Sequence, residues 1–481
     1  MSELKKKSLI ALAWDWSAKL YSQLVGLVVT IVLARIVTPA EFGTVALVMA
    51  IVGFSQIFCD AGLARALVQR SKLLPIHYSS VFLFNLSVAA ILSAVVFLAA
   101  DQIGVFFNNP SLAAVAEALS CLFLFNSLGS VHAARLTRDL KYDILAKARF
   151  LAASCAGLVG IGLALKGAGI WSLVAHAIVF ALFKSLVLWL RSGWAPTLEF
   201  SRKALGQLWG FGFRMFLSGL IDQTFERIDM IVIGRLFSPA TLGFYDRAKS
   251  INSLLVRYSS SSLTAVLFPV LSSVKNDVAR ANNIVMSLLG LLSLYTFFVL
   301  GLVYLLSAEI ILILFSSKWV DSVPYLQLLV LGGFGAPLGA LLLNVLRSKG
   351  KSREYLRLEI YKKSFRALCM VVGFAWGIEG YLYGMIVAAI AGTYLNVFFA
   401  SVQMNTGQWV LFRPILTQFV IVALCVPIVL GMNQALQLSL LAGLAAKTLV
   451  FTVLFLGLNH VFRTSSYLGL REQLSAATGG R

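Results

Sequence analysis

Charge is scarce in this chain. Asp, Glu, Lys and Arg make up 12% of its 481 residues, about half of the ~25% usual in soluble proteins. The shortage falls on the acids, 20 against 40 Lys and Arg, for a net charge of +20. Five cysteines (Cys59, Cys121, Cys155, Cys369, Cys425) sit in apolar stretches without metal-ligand spacing, and the four histidines are scattered. Neither a disulfide framework nor a metal site is expected. No P-loop and no dinucleotide glycine motif occurs, so no cofactor and no nucleotide-driven step within this chain is expected. No polar stretch exceeds about 20 residues, which leaves little room for a catalytic domain and disfavours an enzyme. The roughly ten-residue alternation of a membrane β-barrel is missing too.

What is present is apolar and comes in blocks. Residues of hydrophobic type are 59% of the chain and mean hydropathy is +0.88. Blocks such as 79–100 and 284–306 are long enough to cross a hydrocarbon core of about 30 Å as helices. The expected fold class is an all-α polytopic membrane protein of about fourteen spans. These fall near 13–37, 43–63, 79–100, 112–134, 145–165, 169–190, 208–236, 241–268, 283–306, 323–346, 358–377, 380–402, 412–431 and 436–460. Met1–Leu20 is basic and then apolar, but Trp14-Asp15-Trp16 and Lys19 interrupt any signal-peptide core and no small-residue cleavage site follows. With the N-terminus inside, cytoplasmic segments hold twenty-five Lys and Arg, and the outer ends hold only Arg35, Lys166, Arg235 and Lys318. That bias predicts an inner-membrane protein with both termini cytoplasmic. It also turns the excess charge into anchors facing anionic lipid, with no nucleic acid as partner.

An internal repeat at an offset of 200 aligns Val32-Leu33-Ala34-Arg35-Ile36-Val37-Thr38-Pro39-Ala40-Glu41-Phe42-Gly43 with Val232-Ile233-Gly234-Arg235-Leu236-Phe237-Ser238-Pro239-Ala240-Thr241-Leu242-Gly243. Gly169 and Gly380, and the basic loops after spans 4 and 10, correspond more loosely. Six spans per half is an even number, so both halves insert the same way round, related by a pseudo-twofold axis along the membrane normal. The expected organisation is an N-lobe at 1–191, a cytoplasmic linker at 192–207, a C-lobe at 208–403, and a last helix pair with a cytoplasmic tail at 404–481.

Ionisable residues inside spans are costly, about 2.5–3.5 kcal/mol each at the bilayer centre, and so mark wet or paired positions. Spans 1 and 2 carry Asp15, Lys19 and Asp60; span 7 carries Arg214, Asp222, Glu226, Arg227 and Asp229; span 8 carries Asp246, Arg247, Lys249 and Arg257. On span 8, Asp246, Ser250, Ser253, Arg257, Ser260 and Thr264 share one helical stripe; on span 7, Arg214, Ser218, Asp222 and Glu226 follow at i+4. These stripes suit a central cavity between two lobes, and equally buried helix contacts with serine as a small residue. By depth, Lys19 with Asp60 would close the inner side. Glu226, Arg227 and Asp229 with Asp246, Arg247 and Lys249 would close the outer side, either as gates or as static salt bridges. Arg257, with Arg214, Arg247, Arg366, Ser250 and Ser253, would hold an anionic substrate, since guanidinium pairs bidentately with phosphate oxygens. Asp222 or Asp60 would couple transport to H+ or Na+. Gly332-Gly333-Phe334-Gly335-Ala336-Pro337-Leu338-Gly339 breaks span 10, as a hinge or for close packing. Lys184 reads as a snorkelling lysine, and Lys447 lies mid-span with no evident partner. Trp14, Trp16, Tyr21, Phe54 and Phe58 read as lipid-facing or core rings before sugar-stacking ones.

Leu33-Ala34-Arg35-Ile36-Val37-Thr38-Pro39-Ala40-Glu41-Phe42-Gly43, followed by Asp60-Ala61-Gly62-Leu63, Arg227-Ile228-Asp229 and Ser238-Pro239-Ala240-Thr241-Leu242-Gly243-Phe244-Tyr245, resembles bacterial polysaccharide flippases of the Wzx type. They belong to the multidrug/oligosaccharidyl-lipid/polysaccharide exporter superfamily. The resemblance covers nearly the whole chain. It implies a V-shaped two-lobe fold, alternating access, and an undecaprenyl-pyrophosphate-linked oligosaccharide moved between leaflets for exopolysaccharide, capsule or O-antigen assembly. A polysaccharide polymerase and the export machinery would then be further partners beside membrane lipids. A lipid II flippase or a multidrug cation antiporter on the same fold, and a membrane polymerase or ligase, are the competing readings. Mixed charge signs speak against the antiporter, and short outer loops against the polymerase or ligase.

Overall fold

The computed structural model describes the backbone of residues 2–273, 277–436 and 439–478. It describes their side chains except those of 2–9, 12, 257–273, 278, 352, 434, 435 and 472–478. The described residues form helices, turns and no strand. In chain order they are α1 (Ser2–Ile36), α2 (Pro39–Asp60), α3 (Leu63–Gln69), α4 (Pro75–Leu98), α5 (Ala100–Phe106), α6 (Ser111–Arg138), α7 (Tyr142–Leu165), α8 (Ile170–Arg191), α9 (Arg202–Leu236) and α10 (Pro239–Ser273). Then come α11 (Val278–Leu305), α12 (Ser307–Phe315), α13 (Ser322–Gly332), α14 (Gly335–Ser348), α15 (Ser352–Phe374), α16 (Gly377–Met404), α17 (Gln408–Leu436), α18 (Leu440–Val461) and α19 (Ser465–Thr478).

Each expected span falls largely on helix among the described residues, and the tenth is broken mid-span. The expected tenth span is two helices, α13 and α14, parted at Gly333-Phe334, and Pro337 follows in the first turn of α14. Eleven helices among the described residues are long and apolar enough to cross a membrane, taking α13 with α14 as one. The protein is therefore an all-α, multi-pass membrane protein. The three expected spans outside that set are α9, α10 and α15. They reach 35, 35 and 23 residues, so length is not the obstacle. Charge within α9 and α15 breaks any apolar window, and α10 carries Asp246, Arg247 and Lys249 ahead of side chains outside the described set.

The chain divides into two compact units, Met1–Asp246 and Arg247–Arg481. This division follows packing, whereas the expected lobes follow the repeat: α9, a C-lobe helix by the repeat, packs with the first unit against α2, α3 and α4.

In the first unit, side-chain ties at the two helix ends fix the up-and-down order. At the far end Thr38 and Glu41 form a capping box that starts α2, with Pro39 in its first turn. Glu41 Oε1 also accepts from the Ile170 amide (3.0 Å), joining the α1–α2 turn to the α7–α8 turn. Asn109 donates to Thr44 (3.0 Å), bringing in the α5–α6 loop. At the near end Arg70 clamps the carbonyl and side chain of Gln207, both at 2.7 Å, while Arg138 holds the Ser71 carbonyl at 2.7 Å. His132 sits caged by Phe82, Trp189 and Trp194, with Nδ1 on Ser192 Oγ at 2.8 Å. Between the ends, Ala148, Ala152, Ala156, Gly160 and Ala164 line one buried stripe of α7, where small residues let α1 and α8 approach closely.

In the second unit, α15 and α16 interlock through glycines. A Cβ on Gly373 would strike the Gly380 carbonyl, and one on Gly384 would strike that of Cys369. The main core joins α11, α14, α16 and α17, and a second one joins α11 to α17 and α18. Gln418, Asn459 and Thr464, all buried, hydrogen-bond in series at 2.8 and 2.7 Å where the last helices meet.

Candidate functional site

The sequence repeat becomes a physical contact inside the first unit. Ser238 Oγ accepts from the Thr241 amide (3.2 Å), so α10 starts as α2 does, on a hydroxyl followed by proline. The two starts cross. A Cβ on Gly43 would overlap the Pro239 carbonyl, and a Cβ on Gly243 would overlap the Pro39 carbonyl. Each repeat's glycine thus admits the other repeat's proline turn, a reciprocal contact of the kind a local twofold relation produces.

Along α2 and α9 the seam is continuous. Leu47 lies against Gly234, Gly53 against Arg227, Ile57 against Gly219, and Gly62 against Gly212. Gly62 has φ +74 and follows Ala61 at φ +45, so the chain reverses out of α2 where a Cβ on Gly62 would hit the Gly212 carbonyl. Arg227 lays its guanidinium over Gly53, donating to the Met49 carbonyl (3.3 Å) and to Gln223 (3.0 Å). Asp229 is buried; its carboxylate accepts from Tyr245 Oη at 2.5 Å and from the Met230 amide at 2.8 Å. Asp222, Glu226 and Asp246 are each engaged in polar interactions, and Asp246 is buried. Of the charged outer layer expected on α9, Asp229 is buried and Arg227 half-buried in packed structure while Glu226 is exposed, and Gln223 and Tyr245 are members that charge counting passed over.

The expected inner pair does not form. Lys19 binds Asp15 at 2.5 Å, and Arg149 of α7 reaches the other Asp15 oxygen at 3.3 Å. Asp60 instead accepts from the Ala64 amide (2.9 Å), capping the first turn of α3, and from Asn85 (3.3 Å), which also reaches Ser130. An i+4 partner on the same helix and a following reversed turn were stronger local demands than a pairing between spans. Arg214 is exposed and makes no ion pair among the described residues.

Phe54 and Phe58 belong to a row of rings. Successive centroids lie 6.0 Å (Phe54–Phe58), 5.3 Å (Phe58–Phe216), 5.9 Å (Phe216–Phe213) and 6.1 Å (Phe213–Trp209) apart. The sequence showed the two α2 rings but not their α9 neighbours.

In the second unit, Ser253 Oγ donates to the Ser250 carbonyl at 2.9 Å, so the Ser253 hydroxyl serves α10 itself. Arg247 and Lys249 have interaction partners, and Arg366 is half-buried. Arg257 lies on α10 with its side chain outside the described residues, as do those of Ser260 and Thr264. Lys447 corrects the reading that it lacks a partner. It binds Glu309 at 2.6 Å, both side chains under 10% exposed, where α18 passes α12. Glu309 gave little signal because it opens a short helix that is otherwise apolar. Among the described residues no cluster of His, Cys, Asp and Glu suits a metal ion.

Charges held between glycine-seamed helices of a multi-pass fold define a polytopic helical membrane protein that carries ionic side chains within its helices. The chain matches the polysaccharide biosynthesis protein family over residues 32–324. It belongs to that family, and the expected kinship with Wzx-type polysaccharide flippases holds. It is 24% identical over 406 residues to the lipopolysaccharide biosynthesis protein WzxC of Escherichia coli K12, covering 82% of this chain and 81% of WzxC. It is 30% identical over 302 residues to the succinoglycan biosynthesis transport protein ExoT of Rhizobium meliloti, covering 62% and 61%. In fold it is similar to the lipid II flippase MurJ in an inward closed conformation, with a TM-score of 0.73 at 15% identity over 94% of this chain and all of that one.

Proposed function

We propose that this protein flips undecaprenyl-pyrophosphate-linked oligosaccharide repeat units across the bacterial inner membrane by alternating access, and performs no covalent chemistry. Family membership supplies the glycan. The observation that carries the transport reading is that α9 and α15 are long enough to span but too charged to face lipid along their length. Such helices need water or partners at membrane depth. A lipid-linked glycan needs the same thing, a polar path for its head while its tail stays in lipid.

Within this reading Arg257 pairs with the pyrophosphate, helped by Arg214, Arg247 and Arg366. The acidic residues Asp60 and Asp222 are the proposed coupling groups for H+ or Na+. Asp15, Lys19, Glu226, Arg227, Asp229, Asp246 and Lys249 form the layers that open and close. Both termini face the cytoplasm, six-helix lobes 1–191 and 208–403 follow the repeat, and fourteen helices span. The test is an export assay in a strain lacking the chromosomal copy. Arg257→Ala should abolish surface polysaccharide at unchanged protein level, with Arg257→Lys recovering part of it because charge remains and the bidentate fork is lost. Full export by Arg257→Ala would overturn the assignment.

A further inference from the structure

The near end of the first unit carries more cationic charge than it neutralises. Five cations, Lys19, Lys147, Arg149, Lys184 and Arg191, share two carboxylates. Lys19 and Arg149 both bind Asp15, and Lys147 stands 3.6 Å from Asp143. Lys184 and Arg191 make no ion pair or hydrogen bond among the described residues. Arg191 ends α8, and Lys184 lies seven residues before it, two turns or about 10 Å deeper into the span. Its charged neighbour is Arg149, of like sign. An ammonium at that depth is costly unless something anionic answers it.

A space lined by Val187, one turn further along α8, fits such a ligand. A cavity of about 630 Å³ opens between α7 and α8. Its rim carries Lys147 and Arg191, with Asp143 the one acid, and its walls are Phe150, Leu151 and Val187. Lys184, Val187 and Arg191 fall on one stripe of α8. Trp14 of α1 lies under the Lys147 ammonium, 6.0 Å from ring centroid to nitrogen, in the way aromatic rings mark the membrane interface. A cationic rim over an apolar wall selects an amphipathic anion. It suits neither a free sugar nor a neutral chain.

We infer that the α7–α8 cavity binds the phosphate head group of a lipid in the leaflet on the side of the chain's N-terminus, with Arg191 and Lys147 at the phosphate, Lys184 answering it from below, and the lipid chain along Phe150 and Leu151. The site lies wholly within the first unit and does not rest on the glycan reading. A phospholipid and a polyprenyl diphosphate present the same phosphate chemistry, and the experiment separates them.

The full-length protein is purified in detergent and titrated with phosphatidylglycerol, with phosphatidylcholine and with a polyprenyl diphosphate, and bound lipid is counted by native mass spectrometry. Wild type should bind either anionic lipid at least about tenfold more tightly than phosphatidylcholine. Lys184→Met, and separately Lys147→Gln with Arg191→Gln, should each lower that preference about tenfold or more. Preference for phosphatidylglycerol would mark a resident phospholipid; preference for the diphosphate would mark a substrate docking position. Equal binding of phosphatidylcholine, or anionic-lipid binding untouched in the Lys147/Arg191 double variant, would overturn the site. The double variant keeps the test decisive should Lys184→Met fold poorly, since both its changes lie at the rim.

Discussion

Replacing Lys447 with methionine should destabilise the second unit sharply, and replacing Glu309 along with it should undo most of the damage. Lys447 Nζ and Glu309 Oε1 stand 2.6 Å apart, with 6% and 8% of their side chains exposed, so solvent screens the pair little. The second glutamate oxygen is buried without a hydrogen-bond partner, leaving the ammonium as the main compensation for that carboxylate. Removing one member of a buried ion pair costs about 3–5 kcal/mol, whereas exchanging both for apolar residues of similar volume is often neutral or favourable. At ~1.4 kcal/mol per tenfold change, Lys447→Met should lower the folded population by two to nearly four decades. Lys447→Met with Glu309→Leu should return close to wild type. Thermal unfolding of the purified protein in detergent reads both. A Lys447→Met protein as stable as its parent, or a double variant worse than the single, would show that the pair does not hold α18 to α12.

Other substitutions probe the first unit. Gly243→Val puts a branched side chain where the Pro39 carbonyl lies; export should fall by at least tenfold with membrane insertion intact, and normal export would show that the crossing can open at no cost. Asp60→Ala should cost about 1 kcal/mol through the lost α3 cap, and Asp60→Asn much less; equal thermal stability in all three proteins would deny the capping role. Gly53→Ala meets the Arg227 guanidinium, the far end of a flexible side chain that can shift, so export should fall less than in Arg227→Ala, which quantitative polysaccharide staining checks; an equal loss would show that the guanidinium cannot move.

The helices were legible because a bilayer imposes one period and one length on the sequence, and even the Gly332–Gly339 break could be read from its glycines and Pro337. The repeat was legible too, since Thr38-Pro39 and Ser238-Pro239 are helix starts written in side chains. Partners were harder to read. Asp60 has its acceptor work set by a reversed turn that only backbone geometry reveals. Lys447 meets an acid 138 residues earlier, and no local pattern encodes that distance. Depth ordering placed Lys19 beside Asp60, but depth says nothing about azimuth, and Asp15 one turn away won the contact. The glycine seam of α2 and α9 was invisible for a related reason: a glycine shows its use only when the atom filling the missing Cβ is known.

The most direct test of the central claim is where a lipid-linked repeat unit stands when this protein is absent. In a strain lacking it, with the glycosyltransferases intact, the account predicts single repeat units on their lipid carrier accumulating in the cytoplasmic leaflet. An impermeant glycan-cleaving enzyme should reach them only after the cells are opened. Repeat units exposed on the outer leaflet of intact cells would contradict it and move the protein's role to a step after translocation.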